Sequence, residues 1–324
     1  MHNASVTAAQ SSPRHLESSP LTLPRYLLPQ RTYMVTRRCS DRRFLLLPTE
    51  PLRLAFQKCL IDASKRFGVE VHALCVLSNH YHMIVTDTAA EPQLPKFVAA
   101  VNRELAKFLN VFYRREGAIW DSRKFSAVHL PTWAEVLDKI VYTLANPVEA
   151  GLVASPEDWP GLITLPSQLS RKRYRSPCPR LYFRPAAPGT PRASLKLTKP
   201  PCLRDTSAED YRRQVRTALK ERLAQLNRAR RRPVLGRAAV LTQDPFGQPT
   251  PKPPSRGLNP RLAHKGQDKW RRIELLQALK GFRQLYREAW ERWSAGFRDV
   301  LFPAGTYLMR ELYGARCVPP LPPD

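Results

Sequence analysis

Two apolar stretches, residues 69 to 77 and 81 to 87, flank the dipeptide Ser78-Asn79, and this pattern allows little except a β-hairpin. In its second arm His80 and His82 alternate with Tyr81 and Met83. Because a strand sends residues i and i+2 to one face, both imidazoles are expected on the same side of a sheet. Residues 31 to 37 alternate as another strand. Between it and the hairpin, Leu52, Ala55, Phe56, Cys59, Leu60, Ala63 and Phe67 follow helical spacing up to the stop at Gly68. A second amphipathic helix is expected over residues 95 to 113, broken by Gly117. Residues 118–120 and 125–130 are expected to close as a short hairpin. Thr132, with Glu135 as its capping-box partner, should start a third helix that ends at Asn146 because Pro147 follows. Strand, helix, strand, strand, helix, strand, helix is the order of an α+β, ferredoxin-like or RRM-like antiparallel sheet with helices on one face.

Charge divides the chain. The net charge of +26 and a pI near 10.4 call for a polyanionic partner, nucleic acid before membrane. Residues 31 to 160 hold 17 Lys and Arg against 14 Asp and Glu, whereas residues 161 to 324 hold 34 against 12. Twenty of the 32 prolines also lie beyond residue 160, so a globular unit of ordinary charge is followed by a basic one. The expected organisation is a disordered leader over 1–30, the sheet domain over 31–165, a basic Pro-rich linker over 166–207 and a basic, largely helical extension over 208–324. Residues 241 to 262 read as a further Pro/Gly linker, and residues 269 to 300 as a helix whose aromatic residues need burial. The six cysteines, with no C-x-x-C pair, suit reduced thiols. Aliphatic runs are too short for a bilayer, so a cytoplasmic, nucleoid-associated protein without membrane contact is expected.

Sixty residues after the histidines, Tyr142 and Asn146 stand four apart on the third helix, which stacks a phenol and an amide on one face. His80-Tyr81-His82, preceded by Ser78-Asn79, together with Tyr142 in Tyr-x-x-x-Asn-Pro-Val-x-Ala-Gly-Leu-Val, resembles the single-tyrosine HUH transposases, in particular the REP-associated tyrosine transposases. The resemblance covers roughly residues 31 to 165, including Gly117-Ala118-Ile119-Trp120 and Phe125; the sequence departs from it at Tyr81 and at Leu77-Ser78. It implies that His80 and His82 bind Mg²⁺ or Mn²⁺ with Asn146 as third ligand, that Tyr142 attacks the scissile phosphate, and that the substrate is hairpin-bearing single-stranded DNA. It also admits a homodimer and requires no small-molecule cofactor.

Candidate DNA contacts are cations near the site or interleaved with aromatics: Arg37, Arg38, Arg42 and Arg43; Arg114, Arg115, Arg123 and Lys124 flanking Trp120; and Arg171, Lys172, Arg173 and Arg175 around Tyr174. Solvated surface charge explains such cations equally well. Each site residue alone also has an ordinary structural reading: a surface His pair, a core tyrosine, a helix C-cap. Only their joint occurrence points to chemistry. Three rivals remain: a non-catalytic DNA-binding regulator on the same fold, a domesticated nickase that processes repeats, and a metal-dependent hydrolase that uses water. His72 and His129 lack partners at ligand spacing and are left structural.

Overall fold

The computed structural model describes residues 24–122, 125–177, 181–184, 193–249 and 269–320. Its centre is a four-stranded antiparallel sheet in the order β2-β3-β1-β4, built from β1 (Thr32–Arg38), β2 (Val69–Val76), β3 (His80–Asp87) and β4 (Ser126–His129). Helix α1 (Glu50–Phe67) links β1 to β2, and α2 (Leu94–Phe112) links β3 to β4. The expected α+β class and ferredoxin-like strand order are therefore present. Gly68, at φ +66°, closes α1 in a left-handed conformation that a glycine adopts without strain.

The helices, however, cover both faces of the sheet and not one. Tyr33, Val35, Tyr81, Met83 and Val85 pack with α1 and α2 through Phe56, Leu60, Phe97, Val101 and Phe108. On the other face Met34, Ala73, Ile84 and Val128 pack with α3 (Trp133–Glu149) and α4 (Ala208–Ala229). The continuous apolar runs Tyr33-Met34-Val35 on β1 and Met83-Ile84-Val85 on β3 supply both cores, as expected of strands buried on both sides.

Three local expectations are corrected. Residues 118–120 and 125–130 do not pair with each other: Trp120 bridges to Cys39, and β4 pairs with β1. Helix α3 continues through Pro147 to Glu149; a proline within the last turn forfeits a single intrahelical bond, while Val148 stays buried. Asn146 is accordingly an interior helix residue, 6% exposed, and not a C-cap. Thr132 bonds the carboxylate of Glu135 in place of a backbone N–H.

Contacts extend well past residue 165. Segment 159–164 runs along the outer edge of β2, where Val76 N–H donates to Leu162 and Thr164 N–H to Leu74. Strands β5 (Arg173–Arg175) and β6 (Ser194–Lys196) insert Tyr174 and Leu195 into the α1–α2 core. Helix α4 lies along α3, and α5 (Arg237–Leu241) buries Val240 beside Leu77 and Val148. At the other end of the chain Leu27 is 3% exposed in the main core, so packing begins before Arg31. Helices α6 (Lys269–Ser294) and α7 (Tyr307–Tyr313) share a small core of Tyr286, Trp293, Phe302 and Met309, joined to the body by Tyr26 against Phe282. Leu276, Leu285 and Phe297 of the expected apolar face remain exposed. Residues 250–262 of the expected linker, Cys178 and most of the leader lie outside the described residues.

His72 sits at the irregularity in β2, fully buried, with Nε2 2.7 Å from Thr86 Oγ1 and Nδ1 3.1 Å from the Thr198 carbonyl. Burial pushes its pKa down to about 4. The folded protein therefore holds it neutral, while the unfolded chain takes up a proton below its ordinary value near 6.5. Stability is fully present above that value and is lost as the pH falls towards 4, by up to about 3 kcal/mol from this residue. Urea midpoints measured between these limits should fall less steeply in His72→Gln than in the wild type; parallel profiles would refute the assignment.

Candidate active site

The β1–β3 ladder sets the site. Thr36 lies opposite His82 and Arg38 opposite His80, so these four side chains share the sheet face that α3 covers. The intervening Tyr81 points to the other face, where its hydroxyl donates to Asn102 Oδ1 at 2.9 Å and its ring packs on Phe56 and Trp120. Tyr81 is therefore core, and its bulk does not crowd the histidines. The imidazoles of His80 and His82 meet edge to face with centroids 4.8 Å apart, and the ring of Tyr142 stands 5.3 Å from that of His82. Asn146, one turn further along α3, lies on the same helix face as Tyr142, and its amide opposes the burial-driven rise of the Tyr142 phenol. The structure thus brings together all four residues expected from sequence.

Two partners that sequence reasoning did not assign fix the imidazoles. Asn79 donates through Nδ2 to the Arg42 carbonyl at 3.1 Å, which turns its Oδ1 towards His80 Nδ1 at 2.6 Å. An amide oxygen only accepts, so His80 must carry its proton on Nδ1 and present a lone pair at Nε2. Thr36 Oγ1 holds His82 Nδ1 at 2.7 Å. The Nε2 of His82 is buried and, among the described residues, has no hydrogen-bond partner. Such an orphan is costly unless something binds it. The detectable signal was the Asn immediately before the first histidine; Thr36 could be found only through strand register.

Electrostatics keep the pair neutral. Burial, then the charge of Arg38, pushes His80 down to about 4; burial, then His80, Arg38 and Lys139, holds His82 well below its ordinary value. Neutral imidazoles with free lone pairs are the form that binds a divalent cation. Among the described residues no group of three or more His, Cys, Asp or Glu stands together, so any cation held here would draw on these two imidazoles and an oxygen donor such as the Asn146 amide. The donor set and the orphaned Nε2 fit such an ion. Burial raises the Tyr142 phenol above its ordinary value against the opposing Asn146 amide, so the resting hydroxyl is protonated. Lys139, one turn before Tyr142 and also absent from the sequence reading, places Nζ 5.8 Å from its ring.

The expected DNA contacts separate. Arg38 is exposed beside His80, and Arg42 is exposed at the turn that orients Asn79. Arg43 lies 3.7 Å from Asp41. Arg37 belongs to the opposite face, over Trp120 at 5.8 Å, and Trp120 spends its indole N–H on the Asn102 carbonyl. Arg114 is exposed, and Arg115 reaches the Ala118 carbonyl. Arg123 and Lys124 lie outside the described residues. Arg171, Lys172, Arg173 and Arg175 are exposed, but Tyr174 between them is buried and offers no stacking surface. That group lies beside α1, where Gln57 Nε2 donates to the Arg175 carbonyl, away from the α3 face.

Among solved structures the chain is similar to a REP-associated tyrosine transposase bound to a REP hairpin, with 22% identity, a TM-score of 0.39, and coverage of 44% of this chain and 81% of that one. It is also similar to a putative transposase from Deinococcus radiodurans R1, at 15% identity, a TM-score of 0.27, and coverage of 37% of this chain and 93% of that one. No protein-family model matches the chain, and no curated protein matches it.

Removing the partner of a ligating imidazole typically costs ten- to a hundredfold in metal affinity. Calorimetric titration of Mn²⁺ should therefore show binding weakened by roughly that factor in Thr36→Val and in Asn79→Ala. Unchanged affinity in both would mean that neither residue orients a ligand.

Proposed function

We propose that this chain is a transposase-type enzyme that cuts and rejoins single-stranded DNA through a covalent bond to Tyr142. The observation that carries the reading is the buried, unpartnered Nε2 of His82 beside the Tyr142 ring. A structural histidine in such a place would be expected to spend both nitrogens, as His72 does.

In the proposed step the Tyr142 oxygen forms a bond to phosphorus and the bond to the 3′-oxygen breaks. The phenol gives up its proton, and the released 3′-oxygen gains one, leaving a 5′-phosphotyrosine and a 3′-hydroxyl. The diester is exchanged and not hydrolysed, so a second 3′-hydroxyl can reverse the step without ATP. Asn146, one turn along α3 on the same face, stands beside the phenol, and the half-buried setting of Tyr142 limits competing attack by water. Arg38 adds positive charge at the place where the phosphate's charge must be held, while Lys139, beside the Tyr142 ring, is paired with Asp138 at 3.0 Å. Mg²⁺ or Mn²⁺, held by His80 and His82 with Asn146 as a further donor, would supply Lewis-acid polarisation of the phosphate. Hairpin-bearing ends as substrate, and a homodimer as the working unit, follow from the sequence resemblance and belong to this proposal.

The test is incubation of the purified protein and Mn²⁺ with labelled single-stranded oligonucleotides from the DNA flanking its gene, followed by denaturing electrophoresis. The wild type should give a labelled protein band, and Tyr142→Phe should retain DNA binding but lose the band entirely. His80→Ala and His82→Ala should each lower its yield by at least about a hundredfold, the scale of losing a positioned catalytic group. Protein-free cleavage products would indicate a hydrolase instead, and retarded DNA with no band from any protein would indicate a binding regulator.

A further inference from the structure

The catalytic reading leaves the densest charge in the chain unexplained. From Tyr211 to Arg237 stand ten Lys and Arg residues against the single carboxylate of Glu221. The structure sorts them by direction. Tyr211, Val215 and Leu219, four residues apart, are buried against the α3 side of the sheet. Arg222 pairs with Glu149 at 3.0 Å, and Arg230 reaches the Val148 carbonyl at 3.5 Å, so these two serve the contact with α3. Arg216, Lys220 and Arg228 lie on the outward half of α4 and are exposed, as are Arg231 and Arg232 just beyond its end.

Position relates this ridge to the proposed chemistry. Trp133 at the start of α3 donates to Gln214 near the start of α4, while Glu149 and Val148 at the end of α3 meet Arg222 and Arg230. The two helices therefore run side by side in the same direction. The ridge flanks the helix that carries Tyr142 and ends level with the turn after Asn146. We propose that Arg216, Lys220, Arg228, Arg231 and Arg232 form a phosphate track for the DNA strand entering or leaving that site.

Soluble surfaces normally intersperse both signs of charge. A ridge of five exposed cations with only Glu221 among them repels itself and destabilises the fold, a cost that a polyanion offsets. Burial of α4 requires only its apolar stripe, which leaves the outward cations without a packing role. At 1.5 Å per helical residue, Arg216 to Arg228 spans about 18 Å, and at 3.4 Å per nucleotide that faces about five phosphates of one strand. Such contacts position DNA without reading its sequence.

The proposal rests on the reading of the chain as a DNA-processing protein, and its test is separable from the chemistry. Affinity of the full chain carrying Tyr142→Phe for a labelled mixed-sequence single strand is measured at about 50 to 200 mM salt, with and without Arg216→Gln/Lys220→Gln/Arg228→Gln. Each lost phosphate contact should make the log–log salt slope shallower by about 0.7, so the triple variant should lose about 2 from the slope. Arg216→Gln alone should lose about 0.7, and Arg216→Lys should lose nothing; these single changes keep the test open if the triple variant melts early. An unchanged slope in the triple variant, or loss of binding to vesicles containing phosphatidylglycerol with DNA binding intact, would overturn the track. An unchanged slope alongside a Tyr142 adduct in the wild type would sink the track and leave the transfer chemistry standing. A shallower slope with no adduct would do the reverse.

Discussion

The register of β3 against β1 is the constraint on which the site depends. With Thr36 opposite His82 and Arg38 opposite His80, these four polar side chains fall on the α3 face, while Tyr81, Met83 and, over Trp120, Arg37 fall on the α1–α2 face. A slip of one residue would send both imidazoles into the core now filled by Tyr81 and Met83, and would push Tyr81 against Tyr142. The register is held from both sides: the Tyr81 hydroxyl is tied to Asn102, and Asn79 is tied to the Arg42 carbonyl. The residue between the histidines is thus as much a part of the site as the histidines themselves.

Given that register, burial determines the protonation states. The same desolvation that keeps His80 and His82 neutral keeps the Tyr142 phenol protonated. The resting site accordingly offers lone pairs and a neutral phenol, with the positive charge of Arg38 at its margin. The four central residues include no carboxylate, so the proposed phosphodiester would meet no repelling charge among them, while Arg38 stands at their margin. That asymmetry suits phosphoryl exchange better than general acid–base chemistry on a neutral substrate.

Much of this arrangement was legible in sequence because it rests on short-range periodicity. Alternation placed His80 and His82 on one face, and the i, i+4 spacing placed Asn146 beside Tyr142. What was not legible depended on tertiary context. Pro147 stops a helix in isolation, but here the helix is held past it by the burial of Val148. Residues 118–120 and 125–130 have hairpin composition, yet β1 and Cys39 compete successfully for their backbone groups. Tyr174 resembles a stacking aromatic among cations until the α1 core claims it. Covering on both faces was announced by Tyr211, Val215 and Leu219 at i, i+4, i+8, a stripe masked by the arginines around it.

The basic extension therefore has two faces with different physical roles. Its apolar stripe completes the second core, and α5 carries Val240 to the base of the β2–β3 turn. Next to α5, Gln243 accepts from the Ser78 hydroxyl and Gly247 accepts from the Phe44 N–H, so the chain after α4 also braces the turn that orients Asn79 and, through it, His80. Whatever its outward cations bind, the inward half of the extension is mechanically continuous with the proposed metal ligands. Outward cations and the contacts that brace the Ser78 turn thus lie on opposite sides of one segment, so this basic extension is folded onto the sheet domain and not merely tethered to it.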